Sequence, residues 1–315
     1  MRTLIITHWD TDGVVSAAVL AKNLAKADFF IPEIGMYSIA DKDIKKINLR
    51  KYDEIYIVDF ACRKKAVEKL KAKKITAIDH HFSEKAKNIK YFNPILKGAS
   101  YDDYPCTVQV LCEYLGKDYL LESCIGAVGD KEQNILKNKK FKKKIDKCKK
   151  KINIDFNKMY LTKNLIDSSY MLGKKKEIIR TIKLIMEKGV FAVMKDRKLK
   201  EQLRFIDREK KRLMKTNPRK TDNFLVYNLK SKYNLISTVT RQLSKKYPDK
   251  IIVTKLGSTI YVRRDKARID LKKLIDYCRS KGWQAGGKHE VCGITDTNDK
   301  VLKEVIKFLN ELVLS

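Results

Sequence analysis

The chain has 315 residues with 43% hydrophobic content, enough for two domains that each bury a core. No apolar run approaches the ~20 residues of a membrane helix, and residues 1–7 are too short for a signal-peptide core. A soluble, cytoplasmic protein with no membrane partner is expected. Seven scattered cysteines without a Cys-x-x-Cys pair exclude a zinc knuckle or redox motif and fit reduced, buried thiols. The formal net charge of +32 implies a polyanionic partner, above all nucleic acid. A thermophilic charge network would bring matching acids, yet 38 Asp and Glu face 70 Lys and Arg.

Apolar strand-like runs alternate with amphipathic helices over the first 130 or so residues, the pattern of a parallel α/β sheet. The runs predict a strand at 4–6, a helix at 14–27, a strand at 29–34 and a short helix at 41–48. A strand at 55–58, a helix at 64–73 and a strand at 75–78 follow, then a loop with Tyr101-Asp102-Asp103, a helix at 107–115 and another ending near Gly129. Ten of the fifteen residues 137–151 are lysine; with Phe141 and Ile145 four apart the run reads either as a short solvated helix or as an exposed loop, and a nucleic-acid contact there is not specific. Residues 160–194 read as helical and apolar enough to bury. A connector helix at 196–215 places Leu199, Leu203, Ile206 and Leu213 near one stripe and ends at Asn217-Pro218. The rhythm then restarts: strand 224–229, helix 236–246, a hairpin of 251–255 with 259–263 around Gly257, helix 271–280, strand 292–295 and helix 301–314. The domains expected are 1–194, a connector at 195–221, and a smaller mixed α/β domain at 222–315.

Potential ligands follow the strands. The first strand runs into His8-Trp9-Asp10-Thr11-Asp12-Gly13, where alternation points His8, Asp10 and Asp12 to one side and Gly13 lets the backbone turn into a helix. A helix cap accounts for Asp12 alone and leaves His8 and Asp10 unexplained. The strand at 55–58 ends in Asp59, the next in Asp79-His80-His81, and Asp130 follows the small-residue segment Gly126-Ala127-Val128-Gly129. In an open α/β sheet, ligands bind at the carboxyl ends of strands. Mixed imidazole and carboxylate donors suit Mn²⁺ or a similar borderline metal better than Ca²⁺, and their number suits a two-metal site with a bridging carboxylate. Trp9 is either a base-stacking group or a core indole.

These residues resemble the DHH phosphoesterase superfamily. Its four motifs are matched in order by His8-x-Asp10-x-Asp12-Gly13, Asp59, Asp79-His80-His81 and Gly129-Asp130. Downstream, Gly286-Gly287-Lys288-His289 resembles the Gly-Gly-Gly-His signature of the associated DHHA1 domain, and Tyr261-Val262-Arg263 stands where that domain has a Ser-x-Arg strand. Lys288 replaces the third glycine, and Gly293 comes one residue early. All four histidines of the chain fall inside these motifs.

The resemblance implies an N-terminal parallel-sheet DHH domain joined by a helical connector to a DHHA1 domain that closes over the cleft. It implies two divalent ions, Mn²⁺ first with Mg²⁺ or Co²⁺ as substitutes. His8, Asp10 and Asp59 would hold one, and Asp12, Asp59, His80 and Asp130 the other. Asp79 would support the imidazoles and His81 would touch the phosphate. A glycine-rich turn at Gly286 and Gly287 would offer backbone N–H groups to a phosphate, with Lys288, His289 and Arg263 as side-chain donors and Arg264 and Arg268 further out. The expected activity is hydrolysis of single-stranded RNA or DNA or short oligonucleotides, as an exonuclease or oligonucleotidase. The alternatives are a phosphatase or phosphodiesterase of 3′-phosphoadenosine 5′-phosphate or cyclic dinucleotides, and a non-catalytic replication accessory. The resemblance also admits a homodimer and a replication or repair protein partner.

Overall fold

The computed structural model describes residues 2–35, 39, 41–62, 64–221, 223–266 and 269–314. The chain divides into two compact units, one running to Arg204 and the other starting at Phe205. The first opens with β1 (Thr3–Thr7), α1 (Thr11–Ala21), β2 (Ala27–Phe30), α2 (Asp41–Ile44), β3 (Glu54–Val58), α3 (Lys64–Val67), β4 (Lys74–Ile78) and β5 (Lys90–Phe92). It continues through α4 (Thr107–Leu115), α5 (Leu120–Lys131), α6 (Lys139–Ile152), α7 (Phe156–Met171), α8 (Lys175–Lys188) and α9 (Phe191–Lys195). Helix α10 (Arg197–Leu213) holds the boundary between the units and buries Leu199, Ile206 and Leu213 along one stripe.

The five strands form one parallel sheet in the order β2-β1-β3-β4-β5. Their apolar runs lack polar alternation because both faces are covered. Ile5, Tyr56, Val58 and Ile78 join the core shared with α1, α4 and α5, while Leu4, Ile6, Ile55, Ile57, Ile75 and Ala77 join a second core on the other face. Every residue of α1 is buried, the polar Thr11, Asp12 and Ser16 included.

Several boundaries differ from the sequence reading. Helix α1 stops at Ala21, where the Asn23 amide donates back to the Val19 carbonyl, and Ala27 already belongs to β2. Helices α2 and α3 are single turns. The segment read as one apolar helical region breaks into α7, α8 and α9 at Gly173 (φ 71°) and Gly189 (φ 75°), both in the left-handed region. Strand β5, three residues long, is too short to show a period and was missed.

The second unit contains β6 (Arg219–Lys220), β7 (Phe224–Leu229), α11 (Ile236–Lys246), β8 (Ile251–Leu256), β9 (Thr259–Arg263), α12 (Leu271–Ser280), β10 (Gln284–Lys288), β11 (Val291–Thr295) and α13 (Asp299–Leu314). Its mixed six-stranded sheet has the order β10-β11-β9-β8-β7-β6, with β7 and β8 parallel and the other pairs antiparallel. One expectation is corrected here. Gly286, Gly287 and Lys288 lie in β10, not in a glycine-rich turn; the turn is the tight connection at His289 and Glu290. A β-carbon on Gly287 (φ 151°) would lie 2.0 Å from the Val291 carbonyl oxygen, so the antiparallel neighbour demands glycine there. No helix among the described residues is long and apolar enough to cross a membrane.

Candidate metal centre

Sheet register brings the motif residues to one level. Thr7 pairs with Val58, and Val58 pairs with Ile78. The next residue of each strand is His8, Asp59 or Asp79, so all three emerge side by side at the carboxyl edge.

Each ligand arrives by its own local device. Asp10, not Asp12, caps α1, accepting from the Gly13 N–H at 3.2 Å. Asp12 is fully buried in the first turn and accepts from the backbone N–H groups of Thr107 (2.6 Å) and Val108 (3.3 Å) at the start of α4. Asp59 is 2% exposed with φ 56°, a left-handed conformation that Asp tolerates better than most residues and that concentrates at functional sites. The Thr107 hydroxyl donates to Asp59 Oδ1 at 2.8 Å. Asp130 is delivered by α5, which approaches α1 closely through Gly126 and Gly129. A β-carbon at these positions would stand 2.5 Å from Asp12 Oδ1 and 3.0 Å from Thr11 Cβ respectively.

The four acids and three imidazoles converge. His8 Nδ1 lies 2.9 Å from Asp10 Oδ2 and 3.9 Å from Asp59 Oδ2. His80 Nε2 lies 2.9 Å from Asp130 Oδ2, 3.7 Å from Asp59 Oδ1 and 3.8 Å from Asp12 Oδ2. Donor atoms within 4.8 Å of one another form the groups His8–Asp10–Asp59, Asp12–His80–Asp130 and Asp59–His80–His81. Asp59 belongs to two of these groups.

The donor set fits divalent cations on two observations. His80 Nδ1 faces the Tyr104 carbonyl at 3.1 Å, and a carbonyl only accepts, so this nitrogen carries a proton. In the neutral ring the lone pair is then on Nε2, a buried atom 2.9 Å from Asp130 Oδ2. Burial would lower the imidazole pKa, but the Asp130 carboxylate raises it, so Nε2 faces negative charge that a proton or a metal cation satisfies. The second observation is electrostatic. Burial, then Asp130, pushes the Asp12 carboxyl up to about 6. Burial, then Asp12, Asp10 and the other acids, raises Asp59 well above the usual carboxylate range. Such crowded carboxylates are stabilised by nearby positive charge.

His81 differs from His80. Its Nδ1 lies 2.8 Å from Asp79 Oδ1, and the ring is 44% exposed. Burial alone would lower its pKa, but the Asp79 carboxylate pushes it up to about 9 in the metal-free protein. Asp79 therefore orients His81, while Tyr104 orients His80.

Residues that sequence reading missed support this centre. The Thr11 hydroxyl donates to Asp167 Oδ1 (2.7 Å), and Lys163 Nζ bridges Asp167 (3.0 Å) and Glu132 (3.2 Å). No local pattern marks these α7 residues as support for a strand edge. Trp9 proves to be core: it is 7% exposed, with ring centroids 4.1 Å from His8 and 4.6 Å from Tyr170.

In the second unit Lys288 pairs with Val291, and Val291 with Arg263, so the two cations share one cross-strand row. His289, 67% exposed, lies in the adjoining turn with Nδ1 2.9 Å from Asp270 Oδ2. Gly286 and Gly287 precede it in β10, and Arg264 follows Arg263 with its backbone N–H on the Glu290 carbonyl. Arg268 lies outside the described residues.

Residues 2–159, just over half of the chain, match the DHH family, N-terminal domain. The chain belongs to the DHH family. Its parallel-sheet unit followed by a mixed-sheet unit is the DHH/DHHA1 architecture. The fold is similar to that of RecJ from Thermus thermophilus in complex with Mn²⁺ (TM-score 0.72, 14% identity, 99% of this chain and 52% of that one). It is also similar to exonuclease RecJ bound to manganese (TM-score 0.68, 14%, 99% and 90%) and to a pGpG-specific phosphodiesterase from Vibrio cholerae (TM-score 0.57, 14%, 99% and 100%). This DHH protein thus spans about half the length of Thermus RecJ. No curated protein sequence matches it.

Two predictions arise from this geometry. Thr107→Val removes the hydroxyl that holds Asp59 and should weaken Mn²⁺ binding by roughly 10-fold or more; Thr107→Ser should restore it. Titration calorimetry reads both, and equal affinity of all three proteins would remove Thr107 from the positioning of Asp59. The second concerns pH. In the metal-free protein Asp12 contributes stability that is present below its ordinary 3.8 and lost as pH rises through about 6. A cation must displace the protons that these carboxylates hold, so Mn²⁺ affinity should fall as pH drops below about 6, with proton release on binding. Calorimetry in two buffers of different ionisation enthalpy measures that release; a pH-independent affinity with none would contradict it.

Proposed function

We propose that this DHH protein is a two-metal phosphodiesterase that hydrolyses single-stranded nucleic acid or short oligonucleotides. The observation that carries the reading is the position of Asp59 at the sheet edge, with Oδ2 3.9 Å from His8 Nδ1 and Oδ1 3.7 Å from His80 Nε2, as expected of one carboxylate bridging two cations. His8, Asp10 and Asp59 would hold one cation, and Asp12, Asp59, His80 and Asp130 the other. Mn²⁺ suits these mixed donors and is the ion in two of the RecJ structures, while a third holds Mg²⁺. When bound, the cations supply Lewis-acid activation of water and neutralise charge on phosphate oxygens.

The chain's own residues do the rest. Asp79 holds the His81 ring, whose half-exposed edge donates to a phosphate oxygen or to the leaving oxygen. Thr107 and the α4 N-terminus hold Asp59 and Asp12 in place before substrate arrives. In the second unit Gly286, Gly287, Lys288, His289 and Arg263 are proposed to bind substrate phosphates. The net charge of +32 favours a polymer over a single nucleotide.

The test compares the protein with Asp130→Ala in Mn²⁺ on labelled single-stranded RNA and DNA, dinucleotides, cyclic dinucleotides and 3′-phosphoadenosine 5′-phosphate. Hydrolysis of strands or dinucleotides by the parent alone is the expected result. Equal inactivity of both proteins on every substrate would defeat the enzyme reading. Preference for the cyclic or mononucleotide substrates would replace the exonuclease with a small-nucleotide phosphodiesterase.

A further inference from the structure

Helix α6 is a part of the fold that the metal centre leaves unexplained. Nine of its fourteen residues are lysine and one, Asp146, is acidic. The helix buries a narrow stripe of Phe141, Ile145 and Cys148 and exposes almost everything else. Lys139–Lys143, Lys140–Lys144, Lys143–Lys147 and Lys147–Lys151 each stand one turn apart, and like charges at that spacing weaken a helix. Lys139 and Lys140 further oppose the positive end of the helix dipole. Little relieves the repulsion. Lys140 pairs with Asp103 and Lys144 donates to the Gln109 side chain. Among the described residues Lys142, Lys143, Lys147, Lys149, Lys150 and Lys151 have no ion pair or side-chain hydrogen bond. A surface with one acid among nine lysines is no thermostabilising network.

The surface is continuous with the metal centre through one loop. Tyr104 gives its carbonyl to His80. Two and one residues earlier, Asp102 accepts from the Asn138 cap of α6 at 2.6 Å and Asp103 pairs with Lys140. Tyr101, at the start of that loop, is 46% exposed, and Lys131, beside Asp130, lies 5.8 Å from its ring centroid. An exposed aromatic ring and a row of lysines are the two components of a surface that binds single strands without sequence preference. At fourteen residues α6 is about 21 Å long and can run beside several phosphates.

We propose that the lysine face of α6, with Tyr101 at its head, is a docking surface for the sugar-phosphate backbone of single-stranded nucleic acid, holding the strand beyond the nucleotide being cut. The inference rests on the nucleic-acid reading of the metal centre. An anionic membrane is the weaker occupant, because a helix that lies on lipid inserts an apolar face and the apolar face of α6 is already buried in the protein.

The test is binding of fluorescein-labelled oligo(dT) of about 20 nucleotides, read by anisotropy across a salt series in EDTA, so that no metal or hydrolysis contributes. The variant carries Lys142→Glu, Lys143→Glu, Lys147→Glu and Lys150→Glu. A control carries the same four charge reversals at Lys174, Lys176, Lys183 and Lys188, exposed on and beside α8. The α6 variant should bind on the order of tenfold or more weakly, with the slope of log K against log salt reduced by about 3, since each phosphate contact on a single strand contributes about 0.7. The control should bind within about twofold of the parent. Circular dichroism confirms folding, and the four Lys→Gln changes repeat the measurement without introduced acids. Equal losses in the α6 and α8 variants would reduce the effect to net charge and overturn the proposal. So would unchanged strand binding, or a loss confined to vesicles of phosphatidylserine and phosphatidylcholine. Unchanged strand binding with Mn²⁺-dependent hydrolysis intact would defeat the α6 surface alone. Lost strand binding in a protein that hydrolyses no phosphodiester would defeat the proposed function alone.

Discussion

Asp59→Asn is expected to lower phosphodiester hydrolysis in Mn²⁺ by roughly a thousandfold, equivalent to about 4 kcal/mol of transition-state stabilisation. The substitution is chosen for what it preserves. Asn tolerates the left-handed backbone at φ 56°, fills the same buried volume and still offers Oδ1 to the Thr107 hydroxyl. It removes the negative charge shared between the two proposed cations. The metal-free variant should be as stable as the parent or more so, because a buried carboxylate pressed by Asp12, Asp10, Asp130 and Asp79 is gone. Thermal unfolding in EDTA, calorimetric Mn²⁺ stoichiometry and initial rates together decide the matter. Two bound ions and a rate within about tenfold of the parent would show that Asp59 does not bridge.

Gly13→Ala should destabilise the first unit by about 3 kcal/mol or more and abolish tight Mn²⁺ binding together with it. A β-carbon at Gly13 would stand 2.5 Å from the His8 carbonyl oxygen and 2.7 Å from its carbonyl carbon. Both are backbone atoms, so no side-chain rotation relieves the clash, and overpacking of this kind costs about 1–3 kcal/mol or more. The turn is also pinned from both sides: the Thr7 hydroxyl donates to the Gly13 carbonyl at 2.8 Å, and the Gly13 N–H donates to Asp10. Any shift that frees the methyl group therefore displaces His8, Asp10 and Asp12 as a set. Gly286→Ala is the matched control, because nothing lies within 4 Å of a β-carbon there; its unfolding midpoint should stay near that of the parent. A Gly13→Ala protein with parental stability and Mn²⁺ affinity would mean the loop relaxes without moving its ligands.

The sequence by itself determined the layers and picked out the candidate ligands. Continuous apolar runs such as Ile55-Tyr56-Ile57-Val58 can only be central strands buried on both faces, and the polar residues that end them occur in one family's order. The four-residue spacing of Phe141 and Ile145 amid lysines also allowed a helix at α6, and the structure adds Cys148 to its buried stripe. Such features are local: side-chain periodicity and strand ends are properties of neighbouring residues.

Tertiary structure decided which atoms meet. The pairing of Thr7 with Val58 and of Val58 with Ile78 sets His8, Asp59 and Asp79 at one level, and pairing is a contact between distant segments. The adjacent imidazoles of His80 and His81 carry the same name but receive different partners, Tyr104 from the following loop and Asp79 from their own strand end. Thr107, Lys163 and Asp167 had no local signal at all, since their importance comes from what α4 and α7 bring against α1. Gly286 and Gly287 read as a turn because glycine permits one. They form a strand because Val291 and Cys292 pair opposite them, and the Val291 carbonyl leaves no room for a β-carbon at Gly287. A residue's conformational freedom is written in its own chemistry; the neighbour that uses or removes that freedom is supplied by a segment elsewhere in the chain.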